Sequence, residues 1–367
     1  MDFSVFFFAD DSAGDTGSGT ASGTGRYDLL LQAARFADDA GFTAVWTPER
    51  HFHPMGGLYP NPSVTSAALA VVTRSIDLRA GSVVAPLHEP LRIAEEWSVV
   101  DNLSAGRTGV SFASGWSPQD FVLRPEAYGN RKPAMWTAIE EVRALWRGSA
   151  VVRIDGSGSD RTVRAFPRPV QPDLPIWISA AGDPATFARA GAEGFGILTH
   201  LLHQDLDALT RNIATYRAAA EEARRRGSVR AASKATDRVV LMLHTYLSDE
   251  PVATGGELRR AMSGYLRSSL SLGVQSAGSP GGGPMDEDDR DALVEAALER
   301  YLRSAGLFGT PDEAVSLVER LTGAGVDEIA CLVDFGLSTQ RVMESLARVH
   351  EVRERTTAVL QGGTTWS

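Results

Sequence analysis

The sequence predicts an α/β fold, a (β/α)8 TIM barrel with insertions. Three observations favour it. Strands and helices alternate from end to end, and the predicted strands are continuous apolar runs, typical of a parallel sheet covered by helices. Eight such strand–helix units favour closure into a barrel. The alternative is a doubly wound open sheet, but no GxGxxG turn separates a strand from a helix, and the glycines of 14–25 are interpreted as a first loop.

The elements follow from the positions of the apolar runs and of their caps. The strands are predicted at 4–9, 43–47, 76–84, 107–113, 175–181, 196–199, 238–247 and 327–333. The helices are predicted at 27–40, 64–73, 91–103, 133–146, 184–190, 206–226 and 342–352. Two short β segments near residues 151 and 163 are joined by a glycine-serine turn at 155–160.

All 367 residues are predicted to form one barrel domain with flexible loops at about 10–26 and 271–291. The second loop is rich in glycine, proline and acidic residues and follows the seventh strand and its first helix. In a barrel it would lie over the carboxyl-end face, where long loops commonly act as lids. A solvated linker is the alternative interpretation.

Composition excludes several classes of partner. The net charge of −10 argues against binding to nucleic acid or to an anionic membrane surface. No apolar run approaches the roughly 18 residues that a membrane span needs. The single cysteine, Cys331, lies in an apolar run, so we expect a buried, unreactive thiol and a reducing cytoplasm. His51 and His53 are too closely spaced, and lack a further ligand, to predict a metal site.

The first candidate site residues stand at the carboxyl ends of the second and fourth strands, where barrels bind ligands. The second strand ends in the ionisable cluster Glu49-Arg50-His51-Phe52-His53, from which we select Arg50 and His51 as catalytic candidates. The fourth ends in the small residues Ala113, Ser114 and Gly115, followed by Trp116. Glycine at this position predicts close approach of the backbone to a flat ring or a phosphate.

The fifth strand ends in Ser179-Ala180-Ala181-Gly182, followed by Asp183 and Pro184. Asp183 is a natural N-cap and Pro184 a natural first helical residue, so the N–H groups around residues 181–183 are candidates to hold a phosphate. Polar residues also end the sixth strand and occupy the seventh: Thr199, His200 and His244. Ordinary core histidines remain an alternative for the last two. No nucleophile elbow, Cys-His pair or paired acids is visible, which indicates that a cofactor supplies the chemistry.

These segments resemble the luciferase-like flavin monooxygenases, especially the branch found in natural-product gene clusters. The resemblance covers nearly the whole chain and is most specific between residues 47 and 121, in PERHF, GLYPNPSV, AGSVVAPLHEPLRIAEEWSVVDNLSAGR and GVSFASGW. ISAAGDP, ILTHLLHQ, LMLHTYL, GLFGTP and GVDEIACLVDFG extend it. Arg50 replaces the first histidine of the luciferase Glu-His-His-Phe motif and Ala113 replaces a cysteine beside the flavin, so light emission is not expected. Ser117 and Asp183 also depart from residues common in the natural-product branch.

The resemblance implies a barrel that binds FMN at its carboxyl-end face, with the phosphate toward the fifth-strand helix. It implies that FMNH2 reacts with O2 to give a C4a-peroxyflavin, which oxygenates a small-molecule or carrier-protein-tethered substrate. With no NAD(P)H-binding turn visible, a separate NAD(P)H-flavin reductase is the expected partner. His51 and Arg50 are expected to control protonation and charge at the peroxide; Trp116, His200 and His244 are substrate or lid candidates. We further expect a cytoplasmic homodimer.

Three alternatives remain open at this point. A hydride-transfer oxidoreductase that uses F420 or a flavin would share the barrel. A non-catalytic flavin-binding or carrier-docking subunit would bind flavin without consuming oxygen. A barrel lyase would ignore added FMN. The sequence leaves the substrate and the choice between carbon and nitrogen oxygenation undetermined.

Overall fold

The computed structural model describes residues 1–8, 25–227, 235, 237–252, 256–277 and 286–362. The strands are β1 (Asp2–Phe6), β2 (Ala44–Thr47), β3 (Asp77–Val84), β4 (Thr108–Ala113), β5 (Val151–Ile154), β6 (Asp160–Val163), β7 (Ile176–Ala180), β8 (Gly196–His200), β9 (Val239–Leu247), β10 (Gly306–Gly309) and β11 (Glu328–Leu332).

The helices that surround these strands are amphipathic or buried on one side. They are α1 (Asp28–Asp39), α2 (Pro62–Ala70), α3 (Pro90–Ser104), α4 (Arg131–Trp146), α5 (Pro184–Glu193), α6 (Leu206–Arg225), α7 (Gly256–Ala277), α8 (Glu287–Arg300), α9 (Pro311–Gly323) and α10 (Thr339–Gly362). No helix in the described ranges combines the length and apolarity needed to cross a membrane.

Eight parallel strands close into a ring. Their order is β9-β11-β1-β2-β3-β4-β7-β8, and a further pairing of β8 with β9 completes the circle. The predicted eight-stranded barrel is therefore confirmed, and each predicted strand has a counterpart displaced by no more than a few residues. The antiparallel β5–β6 hairpin lies outside the ring, at the two short β segments expected there.

The segment between β9 and β11 differs most from the prediction. α7 continues through Ala277 and α8 begins at Glu287, so both ends of the expected loop at 271–291 are helical; residues 278–285 lie outside the described part, as do 9–24 of the first loop. Buried residues recur at helical spacing in the first half of α7, at Leu258, Met262 and Leu266, and in α8, at Val294 and Leu298. The acidic first turn of α8 complements the helix dipole. The strand β10, which pairs with β9, was not predicted.

Charged and aromatic side chains fill the amino-terminal half of the barrel interior. Arg79 Nη1 lies 3.0 Å from Glu328 Oε2, and its guanidinium packs against both Trp46 and Trp177, with Cζ 5.0 and 4.5 Å from the two ring centroids. Ser4 Oγ donates to Glu328 Oε1 at 2.6 Å. Burial lowers the pKa of Arg79, but the attraction of Glu328 and Asp77 outweighs it and raises the pKa overall. In barrels, ligands bind at the opposite, carboxyl-end face, where we expect one here.

Cys331 on β11 is fully buried, as predicted. Burial raises the pKa of its thiol to about 12, so the sulfur stays protonated and unreactive near neutral pH.

Candidate active site

A buried carboxylate organises the loop after β2. Glu49 Oε1 lies 2.8 Å from Nε2 of His51 and 2.6 Å from Nε2 of His88, and Glu49 Oε2 accepts from the Val84 N–H at 2.7 Å. Burial favours the neutral acid, but the hydrogen bonds from His51, His88 and Val84 outweigh it and lower the pKa of Glu49. The carboxylate is therefore ionised, and both imidazoles donate to it.

Arg50, the next residue, forms a buried ion pair with Asp120 from the loop after β4. Its Nη1 donates to Asp120 Oδ2 at 2.6 Å, and each side chain is only 3% exposed. Within the described ranges, Arg50 Nε and Nη2 and Asp120 Oδ1 are buried without a hydrogen-bond partner. The Trp116 ring lies 5.2 Å from Arg50 Cζ and is 55% exposed, so it covers the pair from the solvent side. The structure thus brings together the two predicted catalytic residues, Arg50 and His51, with Trp116.

Gly115 is required by packing inside the chain. Its φ is +77°, and a Cβ there would lie 2.8 Å from both Phe121 and Val84. The sequence predicts close approach of a ring or phosphate at this glycine, but contacts with Phe121 and Val84 are sufficient to require a glycine here. Ala113 and Ser114 beside it are partly buried, and Ser117 is fully buried.

The end of β7 lies beside β4 and carries small residues. The hydroxyls of Ser179 and Ser111 lie 2.8 Å apart and bridge the two strands. Ala180 is buried, Ala181 is exposed, and Gly182 has a φ of +111°.

Asp183 caps α5, as predicted, and Pro184 is the first helical residue. The Asp183 carboxylate accepts from Ala185 N–H at 3.2 Å and from the Thr186 hydroxyl at 3.0 Å. This cap uses a helix N–H and places negative charge at the predicted phosphate position. An anion at this position must therefore rely on donors that precede the helix.

Thr199 is engaged within the protein. Its hydroxyl donates to the Ala180 carbonyl at 2.7 Å and accepts from Gln204 Nε2 at 2.9 Å. Gln204 Oε1 in turn accepts from Asn212 Nδ2 at 3.0 Å. The three polar side chains fix the loop after β8 against the end of β7, a supporting arrangement that leaves the Thr199 hydroxyl little capacity for a ligand.

The two remaining predicted histidines are held neutral. Burial, with a smaller contribution from His203, lowers the pKa of His200 to about 4. Burial also lowers the pKa of His244 to about 3, with repulsion from His200 adding to it. The His244 ring packs against Tyr265, at 4.7 Å, and against Tyr301, at 5.0 Å. Neutral imidazoles in this position offer hydrogen bonds but no charge.

Sequence reasoning missed two residues of the cluster, His88 and Asp120. His88 stands just after the end of β3, in APLHEP, and the strand-end rule that selected residues 49–53 could have found it. Asp120 lies inside the stretch already singled out, but its pairing with Arg50 depends on the neighbouring loops meeting in space. Among the described residues there is no group of three side chains placed to hold a metal ion.

Comparison with known proteins identifies the family. The family profile described as Luciferase-like monooxygenase matches residues 1–328. The oxygenase component of a flavin-dependent trigonelline monooxygenase from Acinetobacter baylyi is 25% identical over 337 residues, 88% of each chain. The crystal structure of the monooxygenase RslO1 from Streptomyces bottropensis has a TM-score of 0.75 at 24% identity, covering 96% of this chain and 98% of that one.

A further solved structure is the oxygenating constituent of 3,6-diketocamphane monooxygenase from Pseudomonas putida, a type II Baeyer–Villiger monooxygenase in complex with FMN. Its TM-score is 0.71 at 18% identity, covering 95% of this chain and 96% of that one. At these identities the structural likenesses establish the fold, while the profile match covers most of the sequence. The chain therefore belongs to the luciferase-like monooxygenase family.

Proposed function

We propose that this protein is the oxygenase component of a two-component flavin-dependent monooxygenase. It would take reduced FMN from a separate NAD(P)H-flavin reductase and, with dioxygen, oxygenate a small natural-product intermediate, free or tethered to a carrier protein. The family match supports monooxygenase chemistry. The similar Acinetobacter baylyi protein is itself named an oxygenase component, which supports a separate reductase.

The unsatisfied polar atoms of the Arg50–Asp120 pair carry this proposal. Leaving buried N–H groups without acceptors costs about 1–3 kcal/mol each, so a ligand acceptor that reached them past the Trp116 ring would stabilise the site. Arg50 Nε and Nη2 are such donors, and Asp120 Oδ1 is an unused acceptor beside them. A flavin, and a substrate beside it, carry the carbonyl oxygens and N–H groups that fit this set.

The residues that would hold FMN lie at the ends of β4 and β7. The Ser111 and Ser179 hydroxyls can turn toward a ligand, and the small residues 113–114 and 180–182 leave room for a ring and a phosphate. When bound, reduced FMN supplies the electrons that activate dioxygen for oxygen transfer. Arg50 would stabilise negative charge there, since an arginine stays protonated and cannot act as a base. His51 would move the proton, and Trp116 would exclude water.

Isotope labelling tests the proposal. The protein is combined with FMN, NAD(P)H, a flavin reductase and a small-molecule extract of the host organism, under 18O2. We expect a product heavier by one 18O atom that is absent without FMN or without the protein. A product formed without labelled oxygen and only with F420 would favour the hydride-transfer alternative. A homodimer and a cytoplasmic location stay predictions.

Replacing Ala181 tests the flavin position. Ala181 is exposed at the end of β7, so Ala181→Trp should preserve the fold while obstructing the face. We expect the Kd for reduced FMN in an anaerobic titration to rise at least about tenfold, equivalent to about 1.4 kcal/mol. Gly129→Ala is the matched control, because an added Cβ meets nothing within 4 Å. Gly115 is unsuitable as a probe, since its own neighbours would clash. If folded Ala181→Trp and Gly129→Ala bind reduced FMN with equal affinity, Ala181 does not belong to the flavin site.

A further inference from the structure

One carboxylate oxygen of Glu49 accepts hydrogen bonds from two histidines. Both His51 Nε2, at 2.8 Å, and His88 Nε2, at 2.6 Å, lie against Oε1, while Oε2 is occupied by the Val84 N–H. The Glu49 side chain is 1% exposed, so water does not screen the contacts. Since Val84 fixes the other oxygen, the carboxylate is held in one orientation, and the two imidazoles share a single negative charge.

A shared charge makes the protonation of the two rings mutually unfavourable. One imidazolium neutralises Glu49, and a second would place two cations on one buried oxygen. The charge of Asp120 is paired first with Arg50 and attracts a proton on His51 more weakly. Glu49 is the carboxylate that both imidazoles contact directly.

The surroundings favour His88 as the ring that carries the proton. Its side chain is 33% exposed, against 12% for His51, so water stabilises a cation better at His88. Glu96 on α3 attracts that charge, and Arg124 opposes it. Burial lowers the pKa of His88, but the hydrogen bond and charge of Glu49 outweigh burial and raise it overall.

We propose that His88 is a positioning residue which, through Glu49, keeps His51 neutral. His51 then donates its Nε2–H to Glu49, and its Nδ1 carries the lone pair that can accept a proton at the carboxyl-end face. A proton gained at His51 Nδ1 makes the His51 ring a cation. This protonation is unfavourable while His88 is charged, because both rings contact the same Glu49 oxygen. The inference rests on the proposed function only for the catalytic role of His51; the coupling between the rings does not require flavin.

Histidine-selective NMR of the full chain, without cofactor, measures this coupling. Each imidazole is followed from pH 5 to 9 in the wild type, in His88→Gln and in His51→Gln. In His88→Gln, we expect the His51 resonances to titrate about one pH unit higher than in the wild type, because the Glu49 charge then interacts with a single imidazole. In His51→Gln, the His88 resonances should move up by a similar amount, since coupling between two sites is reciprocal. His350→Gln is the control, as His350 lies on α10 and contacts Phe42.

The reciprocal pair keeps the test decisive if one variant fails to fold. The proposal is supported if replacing one histidine moves the titration midpoint of the other and if this shift disappears when Glu49→Gln is also present. A His51 midpoint unchanged in folded His88→Gln, or moved equally by His350→Gln, overturns it. The pH profile of oxygenation provides a separate readout. Coupling by NMR without FMN-dependent activity would contradict the proposed function alone, and activity without coupling would contradict this inference alone.

Discussion

Removing the Asp120 carboxylate should destabilise the protein far more than removing an exposed one. Asp120→Ala leaves the Arg50 charge buried, and Asp120 is its only ion-pair partner in the described ranges. With charge centres about 4 Å apart and an effective dielectric constant of about 20, the lost attraction is about 4 kcal/mol. In other proteins, truncating one partner of a buried ion pair lowers the free energy of unfolding by about 3–5 kcal/mol. We therefore expect the free energy of unfolding to fall by about 3–5 kcal/mol.

An exposed pair of similar length provides the control. Arg74 and Asp39 are 2.7 Å apart, but their side chains are 82% and 66% exposed. Asp39→Ala should cost about 0–1 kcal/mol, because water screens the charges. Guanidinium unfolding followed by circular dichroism measures both variants. The double variant Arg50→Met with Asp120→Leu should regain much of the loss, since it removes the uncompensated charge. If Asp120→Ala costs no more than Asp39→Ala, the buried pair does not have the energetic role assigned to it.

Two further predictions concern stability. Gly191→Ala should lower the free energy of unfolding by at least about 2 kcal/mol, because the added Cβ would lie 2.3 Å from the Tyr216 carbonyl oxygen. The control Gly264→Ala, at an exposed position in a helix, should raise it by about 0.5–1 kcal/mol, and equal melting temperatures for the two variants would contradict the packing. Burial alone would raise the pKa of Asp38, but hydrogen bonds from Ser75 and from the backbone of residues 74–76 lower it to about 2. A carboxylate whose pKa is lower in the folded than in the unfolded state stabilises the fold at pH values above its unfolded-state pKa. This contribution of Asp38 to the free energy of unfolding should therefore be lost as pH falls from about 4 to 2. Unfolding measured as a function of pH should show a weaker dependence in Asp38→Asn.

The barrel could be predicted because its strands are signalled locally. Most barrel strands are short, largely apolar runs, and the N-cap Asp183 followed by Pro184 is recognisable from the sequence alone. β10 escaped prediction because it is four residues long and half glycine, a composition shared with loops. The ends of α7 and α8 were misjudged because acidic residues indicate a loop by composition, whereas Glu287, Asp288 and Asp289 form the first turn of α8.

The candidate site was predictable only in part, for a geometric reason. Strand ends identified Arg50 and His51, since parallel strands present their carboxyl ends on one face. Which side chains then meet depends on register and loop shape. Asp120 is 70 residues from Arg50, and His88 is 39 residues from Glu49. The glycine at 115 was found, but its reason lies in the contacts of Phe121 and Val84.

Binding of reduced FMN at the carboxyl-end face is tested most directly by anaerobic titration. Photoreduced FMN is added to the protein without oxygen, and the bound fraction is compared with that of oxidised FMN and of reduced F420. We expect saturable binding of reduced FMN, weakened by Ala181→Trp and unchanged by Gly129→Ala. Binding of F420 with no measurable affinity for reduced FMN would contradict it.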